Sequence, residues 1–237
     1  MTDLQLELDD GLAVIAGASG GIGAALVRAL HGGGYADRTI ALSRAGPDPC
    51  DVTVEAHIAA AAGRIAARGA PVRLVIDATG FLHDDRFAPE KSWTQLDPDH
   101  LARAFAINAI GPALLMKHLL PLLPKSGLAA FATISARVGS IGDNRLGGWY
   151  AYRASKAALN QVVRTAAVEL RRRNPNGVVV ALHPGTVETA LSVPFAKVGL
   201  NVTSPAQAAE RLIGTCAALK PADSGAFLDP DGNPIPW

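Results

Sequence analysis

The stretch that most limits the fold is Leu12-Ala13-Val14-Ile15-Ala16. It runs without a break into Gly17-Ala18-Ser19-Gly20-Gly21-Ile22-Gly23 and then into Ala24-Ala25-Leu26-Val27-Arg28-Ala29-Leu30. A short continuous apolar run is what a strand buried on both faces requires, as in a parallel sheet. The alanine- and leucine-rich run after it is a good helix former. Glycines between a strand and a helix let the backbone approach a pyrophosphate, whose charge the helix N-terminus stabilises. The spacing here is G-x-x-x-G-x-G rather than the commoner G-x-G-x-x-G. Gly17, Ser19, Gly20, Gly21, Ile22 and Gly23 are therefore the expected cradle of a dinucleotide.

The rest of the chain repeats this alternation. Residues 38–44 read as the second strand. An NAD site places an acid about twenty residues past the glycines, to bond the ribose 2′-hydroxyl. Here Ser43 and Arg44 stand at the strand's end instead. A guanidinium suits a 2′-phosphate, so the expected cofactor is NADP. Residues 45–49 are a turn-rich bridge to Cys50-Asp51-Val52-Thr53, which leaves too little chain for a helix between the second and third strands. An alanine-rich helix follows over 54–68, a strand and its exit turn over 72–80, and a long helix over 101–120, interrupted by Gly111-Pro112. Pro112 has no N–H, so the carbonyl of Asn108, four residues back, loses its helical partner and is a ready water site. Residues 128–135 form another buried strand and 137–148 a polar, glycine-rich loop, after which a helix runs to about Arg173. A strand over 178–183 precedes Pro184-Gly185-Thr186-Val187-Glu188-Thr189, and 191–201 form a loop with exposed Leu191, Val193 and Phe195. Ser204 and Pro205 fit the N-cap and first position of a last helix, and 225–228 give the final strand. Strands alternating with helices along the whole chain predict an α/β fold, one parallel, doubly wound sheet in a single domain over residues 1–237.

With 49% hydrophobic residues the chain can bury a sizeable core. A net charge of +1 with scattered basic residues argues against nucleic acid or a membrane surface as partner. The one dense cluster, Arg171-Arg172-Arg173, fits a helix C-terminus, where cations favour the dipole. Cys50, Cys216 and the six scattered histidines stand at no metal-ligand spacing, so no metal is expected. His83 and His183 are the two near strand ends, where they could touch a site. The acidic start, without a signal pattern, and the lack of an apolar run of about 20 residues predict a cytoplasmic protein.

Tyr152 and Lys156, in Trp149-Tyr150-Ala151-Tyr152-Arg153-Ala154-Ser155-Lys156, are four apart, so a helix stacks them on one face. A tyrosine pKa near 10 is too high for easy proton traffic at neutral pH. An ammonium nearby stabilises the phenolate and lowers that pKa, which makes the tyrosine a usable general acid or base. Taken alone the spacing says little, because many helices carry it by chance.

Five pieces stand in register along the chain: Gly17-x-x-x-Gly21-Ile22-Gly23, Asp51-Val52, Asn108, Tyr152-x-x-x-Lys156 and Pro184-Gly185-Thr186-Val187-x-Thr189. Together they resemble the short-chain dehydrogenase/reductase family over nearly the whole chain. The shortened region after Arg44, the Gly147-Gly148-Trp149-Tyr150-Ala151-Tyr152 run and the last seven residues resemble one branch of it. That branch contains carbonyl reductases and the bacterial cell-contact signalling protein C-factor. The resemblance implies a Rossmann-type domain and an NADP-dependent oxidoreductase that reduces a ketone or aldehyde. Tyr152 would protonate the carbonyl oxygen, Lys156 would hold the nicotinamide ribose and depress the tyrosine pKa, and Asn108 would bind a relay water through its backbone carbonyl. Asp51 and Val52 would contact adenine, while Val187 and Thr189, after Pro184 and Gly185, would hold the carboxamide. Ala78 and Gly80, at the exit of the strand before the long helix, join the cofactor set. A homodimer or homotetramer is implied by the family alone.

Two departures stand out. The family's Asn-Asn-Ala-Gly is Asp77-Ala78-Thr79-Gly80 here, and its Ser-x-x-Gly is Ala136-Arg137-Val138-Gly139, without the serine that polarises the carbonyl. Ser135 is one residue early, and strand alternation should turn it to the other face. Ser140, just past the strand, is the other candidate. Losing one preorganised donor costs a factor on the order of 10² to 10³ in rate. The expected substrate is a small apolar carbonyl compound, in a pocket walled by Phe81, Trp149, Val193 and Phe195. A second reading, motivated by Ala136 and the C-factor resemblance, is a nucleotide-binding signalling or interaction protein with weak or secondary reductase activity.

Overall fold

Strand order decides where a ligand can sit on a parallel sheet. The computed structural model describes residue 8 and residues 11–45, 49–192 and 202–237. Its strands are β1 (Leu12–Ala16), β2 (Thr39–Leu42), β3 (Val72–Asp77), β4 (Ala129–Ile134), β5 (Gly177–Leu182), β6 (Thr186–Val187), β7 (Val202–Thr203) and β8 (Phe227–Leu228). Its helices are α1 (Gly21–Gly32), α2 (Glu55–Ala66), α3 (Pro98–Phe105), α4 (Gly111–Leu119), α5 (Tyr150–Arg173) and α6 (Pro205–Ala218). The main sheet runs β2-β1-β3-β4-β5-β8 with every pair parallel, which is the predicted doubly wound α/β arrangement. From β1 the sheet extends to β2 on one side and to β3, β4 and β5 on the other. The carboxyl ends of β1 and β3 therefore flank the crevice where such sheets take ligands.

The strands β1, β4 and β5 are buried at every residue, as continuous apolar runs must be when helices cover both faces. On one face Val14, Val75, Phe131 and Val179 pack with Ile58 of α2, Leu115 of α4 and Leu159 and Val163 of α5. On the other, Ile15, Leu74, Ala132 and Val180 pack with Leu26 and Leu30 of α1 and Leu212 and Ile213 of α6. Each fully buried side chain of this kind contributes about 1.5–3 kcal/mol over an exposed one. Local chemistry agrees with the tertiary fold at α6. There Ser204 Oγ accepts the Gln207 N–H at 3.2 Å, Gln207 Oε1 accepts the Ser204 N–H at 3.0 Å, and Pro205 opens the helix. Arg171, Arg172 and Arg173 occupy the last turn of α5, as their charge predicts.

Three expectations change. Cys50–Thr53 add no strand: Ser43 makes a single parallel bridge to Pro49, and the Asp51 carboxylate bends the chain onto the Thr53 N–H at 2.9 Å. With no strand there, α2 itself is the crossover between β2 and β3. Thr186 and Val187 pair in parallel with Val202 and Thr203, a two-stranded element too short for any periodicity to reveal. Finally, the helix over 98–122 is long and apolar enough, by length and composition, to cross a membrane. Averaged hydropathy tolerates its few charges, which a search for an unbroken run does not. Its Leu115, Met116 and Leu119 are buried in the core of this fold.

Candidate active site

The glycine turn lies at the crevice and is shaped for close backbone approach. Gly17 has φ +75°, and a Cβ there would stand 2.9 Å from the backbone of Ala78 at the exit of β3. At Gly23 a Cβ would lie 2.1 Å from the Gly17 carbonyl oxygen, so a side chain would prise α1 off the turn. The N-cap of α1 is Gly20, with no side-chain cap and no acid in the first turn. Its leading N–H groups are therefore available to an anion, with the dipole favouring negative charge. These features fit a dinucleotide pyrophosphate. Thr189 closes the same place from beyond β6, since a Cβ on Gly21 would come within 2.7 Å of its Cγ2. At the far end, Ser43 Oγ donates to the Ala45 carbonyl, and Arg44 is exposed and close enough to lower the Asp51 pKa after the larger effect of the Thr53 hydrogen bonds. Val52 is buried and packs against Gly111, where a Cβ would meet its side chain at 3.0 Å.

Tyr152 and Lys156 do share one face of α5. Lys156 is 2% exposed, and its Nζ donates to the Ile134 carbonyl at 2.7 Å and lies 5.9 Å from the centre of the Tyr152 ring. Burial pulls the lysine pKa down to about 8, against the opposing pull of the Asp77 charge. The Asp77 carboxylate is itself fully buried and accepts from Thr79 Oγ1 at 2.6 Å and Thr133 Oγ1 at 2.7 Å. The expected depression of the Tyr152 pKa is not what this arrangement produces. Part of the ring stays accessible, but the surrounding protein desolvates the hydroxyl and pushes its pKa up to about 12. The ammonium is turned to a backbone carbonyl rather than to the phenol, so the tyrosine here is a neutral acid.

Asn108 ties these parts together. It sits in a π-helical turn, Ala106–Ile110, where the Gly111 N–H donates to the Ala106 carbonyl five residues back. Pro112 follows with no N–H, so the helical ladder is broken beside Asn108, and π turns of this kind recur at functional sites. The Asn108 side chain is fully engaged: Oδ1 accepts the Phe81 N–H at 2.7 Å, and Nδ2 donates to the Phe81 carbonyl at 2.7 Å and to Ser155 Oγ at 3.0 Å. Ser155 Oγ in turn donates to the Tyr152 carbonyl at 2.9 Å. The side chain thus has no group left for a water, whereas the Asn108 carbonyl has no N–H to serve at Pro112, four residues on. Gly80 lies beside both partners, with a Cβ there placed 3.8 Å from Asn108 Oδ1 and 4.0 Å from Lys156 Nζ.

The serine candidates fare differently. Ser135 Oγ donates to Asn160 Oδ1 at 2.7 Å, so its proton is committed to α5 and it is not placed as a carbonyl donor. The strand parity that turned it away from the Ala136 side is the cause. Ser140 is buried, and its Oγ accepts the Asp143 N–H at 3.1 Å. The pocket wall also changes. Phe81 packs inward with Ala104 and Ala151, edge-on to His100 at 5.9 Å, and is core rather than lining. Trp149 does border Tyr152, with ring centres 6.2 Å apart. Val193 and Phe195 lie outside the described residues.

Two residues with no sequence signal complete the site. The buried Glu90 carboxylate accepts the Ala151 N–H through both oxygens, at 3.3 and 3.2 Å, and lies 3.2 Å from His100 Nδ1. Its backbone carbonyl accepts the Trp149 N–H at 2.5 Å. Trp149 has φ +54°, alone among the described non-glycine residues in taking a left-handed conformation, after Gly147 and Gly148 in the same region. Glu90 thus caps α5 one residue before Tyr152, where no N-cap side chain does so.

A family model described as enoyl-(acyl carrier protein) reductase matches residues 17–222. C-signal of Myxococcus xanthus is 41% identical over 144 residues, 60% of this chain and 81% of that protein. The 1-hydroxy-2-glutathionyl-2-methyl-3-butene dehydrogenase of Rhodococcus sp. (strain AD45) is 33% identical over 234 residues, 94% of this chain and 98% of that one. Among solved structures, the NADPH-bound carbonyl reductase from chicken fatty liver superposes with a TM-score of 0.80 at 27% identity, covering 95% of this chain and 93% of that one.

Proposed function

This chain belongs to the short-chain dehydrogenase/reductase family, and on that premise we propose that it is an NADPH-dependent reductase of a ketone or aldehyde. The observation that carries the reading is the gathering of Tyr152, Lys156 and Asn108 at the exit of β3: Asn108 Nδ2 reaches the Tyr152 carbonyl through Ser155 Oγ, and Lys156 Nζ lies 5.9 Å from the centre of the Tyr152 ring and, with Asn108, beside Gly80. Bound in the crevice, a reduced nicotinamide dinucleotide supplies the hydride. Gly17 to Gly23 take its pyrophosphate, and Arg44 takes the 2′-phosphate. Asp51 and Val52 border adenine, and Val187 and Thr189 orient the carboxamide. Tyr152 Oη gives its proton to the carbonyl oxygen. Lys156 holds the ribose, and a water on the Asn108 carbonyl returns a proton to the tyrosine. A hydroxyl held near pKa 12 is almost wholly protonated at neutral pH, which favours reduction over alcohol oxidation. The half-buried Trp149, with Ile141 and Leu146 exposed on the same loop, suits a substrate with an apolar body.

NADPH consumption with a panel of aldehydes and ketones tests this directly. Tyr152→Phe keeps the ring packing and should lower reduction by roughly 10² or more, with NADPH affinity unchanged. A variant that still reduces at near wild-type rate would return the chain to the second reading, a nucleotide-binding signalling protein. Ala136 and the likeness to C-signal favour that alternative.

A further inference from the structure

The family's carbonyl-polarising serine is replaced by Ala136, and the backbone amide that follows it is bonded to an imidazole. The Arg137 N–H, the amide immediately after Ala136, donates to His183 Nδ1 at 3.4 Å. An amide can only donate, so Nδ1 is the acceptor and the neutral ring carries its proton on Nε2. Burial pushes the His183 pKa down to about 4, with the Arg137 charge acting in the same direction, so the ring is neutral at physiological pH. Nε2–H makes no hydrogen bond within the described residues.

The ring's position follows from the sheet. Ile134 pairs with Leu182, and the Ser135 N–H donates to the Leu182 carbonyl at 2.8 Å. Carried one residue on, that register sets His183 opposite Ser135, whose hydroxyl reaches α5. His183 therefore leaves β5 on the face of Ser135, the side of the helix of Tyr152 and Lys156, and its ring reaches round the strand end to the amide that follows Ala136. The turn between them hugs that helix. Lys156 Nζ holds the Ile134 carbonyl at 2.7 Å, Arg153 Nη1 holds the Val138 carbonyl at 3.2 Å, and a Cβ on Gly139 would strike the Lys156 Cβ at 2.8 Å. On its other side His183 leads into Pro184-Gly185, the segment that carries Val187 and Thr189 toward the glycine turn.

Resting on the reductase reading, we propose that His183 Nε2–H polarises the substrate carbonyl in place of the missing serine, making His183 a catalytic residue. Hydride adds to the carbonyl carbon, the carbon–oxygen π pair moves to oxygen, and the proton comes from Tyr152 Oη. His183 donates a hydrogen bond throughout and keeps its own proton.

The experiment measures kcat for carbonyl reduction, NADPH affinity and thermal melting in the wild type, His183→Ala, His183→Gln, Ala136→Ser and the Ala136→Ser/His183→Ala pair. Losing one preorganised donor predicts a fall in kcat of about 10² to 10³ for His183→Ala, with NADPH affinity within twofold of wild type. The glutamine variant retains both an acceptor for the Arg137 N–H and a donor, so it should keep more activity than alanine. Ala136→Ser should restore kcat at least about tenfold in the His183→Ala background, where a merely structural histidine would leave nothing for a serine to rescue. An active wild type whose kcat survives His183→Ala, or falls instead with Ser140→Ala, overturns the proposal alone. A wild type that reduces no carbonyl compound overturns the reductase reading and the proposal with it.

Discussion

Replacing Glu90 by alanine tests whether α5 is held from outside its own sequence. Glu90 is 2% exposed and His100 3%, and their contact at 3.2 Å is enclosed by Phe87, stacked on the imidazole at 4.9 Å, and by Phe81. Removing one partner of a buried polar pair costs about 3–5 kcal/mol, because the other is left without compensation. Here the Ala151 N–H loses its acceptor as well. For a chain of this length about 2–4 °C of Tm follows each kcal/mol, so Glu90→Ala should lower the Tm by about 6–20 °C. Glu90→Gln keeps an oxygen for Ala151 and should recover more than half of that loss. Because Ala151 directly precedes Tyr152, kcat should fall in Glu90→Ala even well below its Tm, with NADPH affinity nearly kept. Thermal melting by circular dichroism and steady-state kinetics at 20 °C make the measurement. A Tm within 2 °C of wild type, or a loss no smaller in glutamine than in alanine, would refute the capping argument.

Arg44→Asp should reverse cofactor preference: a charge-assisted hydrogen bond is worth about 1.5–3 kcal/mol, so NADPH affinity should fall by about 10- to 100-fold while NADH affinity rises, as read by fluorescence titration. Lys156→Met tests the cost of burying an ammonium. A lysine pKa lowered from 10.5 to about 8 destabilises the fold fully below pH 8, and the penalty fades as pH rises toward 10.5. Urea unfolding should therefore show the wild type gaining about 2 kcal/mol relative to the variant between pH 7 and pH 9.5, and a pH-independent difference would reject the assignment.

What could be read in the sequence was chemistry carried by a residue's own backbone or by a fixed local spacing. Pro112 lacks an N–H wherever it stands, so the break beside Asn108 was visible; that the helix answers with a π turn, moving the Gly111 N–H to Ala106, was not. Tyr152 and Lys156 were legible because a helix repeats, and Ser135 because a strand alternates. The Glu90 clamp joins residues 61 apart on a loop with no period, so nothing local announces it. The high Tyr152 pKa escapes the sequence for a related reason. The sequence places a lysine one turn away, but desolvation and the Ile134 carbonyl that captures the ammonium are three-dimensional facts. The place of Phe81 is equally illegible, because an apolar residue beside a site looks the same in sequence whether it lines the pocket or backs it.

These features bear on the choice between catalyst and nucleotide-binding scaffold. Glycine turn, α1 and Arg44 could hold a dinucleotide by themselves, and none of them needs a buried ammonium. Lys156 nevertheless sits 2% exposed with its pKa pulled down by burial to about 8, a standing cost to the free protein. A methionine of similar length would relieve that cost and leave the pyrophosphate cradle intact. The cost makes sense where an anionic cofactor and a reacting oxygen arrive at the same spot, because both favour the charged lysine. The neutral Tyr152 belongs to the same design, since an acid must keep its proton until a carbonyl is in place. With Ala136 the donor that such a site requires has left β4, and His183, at the end of the neighbouring strand and already neutral, is the group the backbone places against the vacancy.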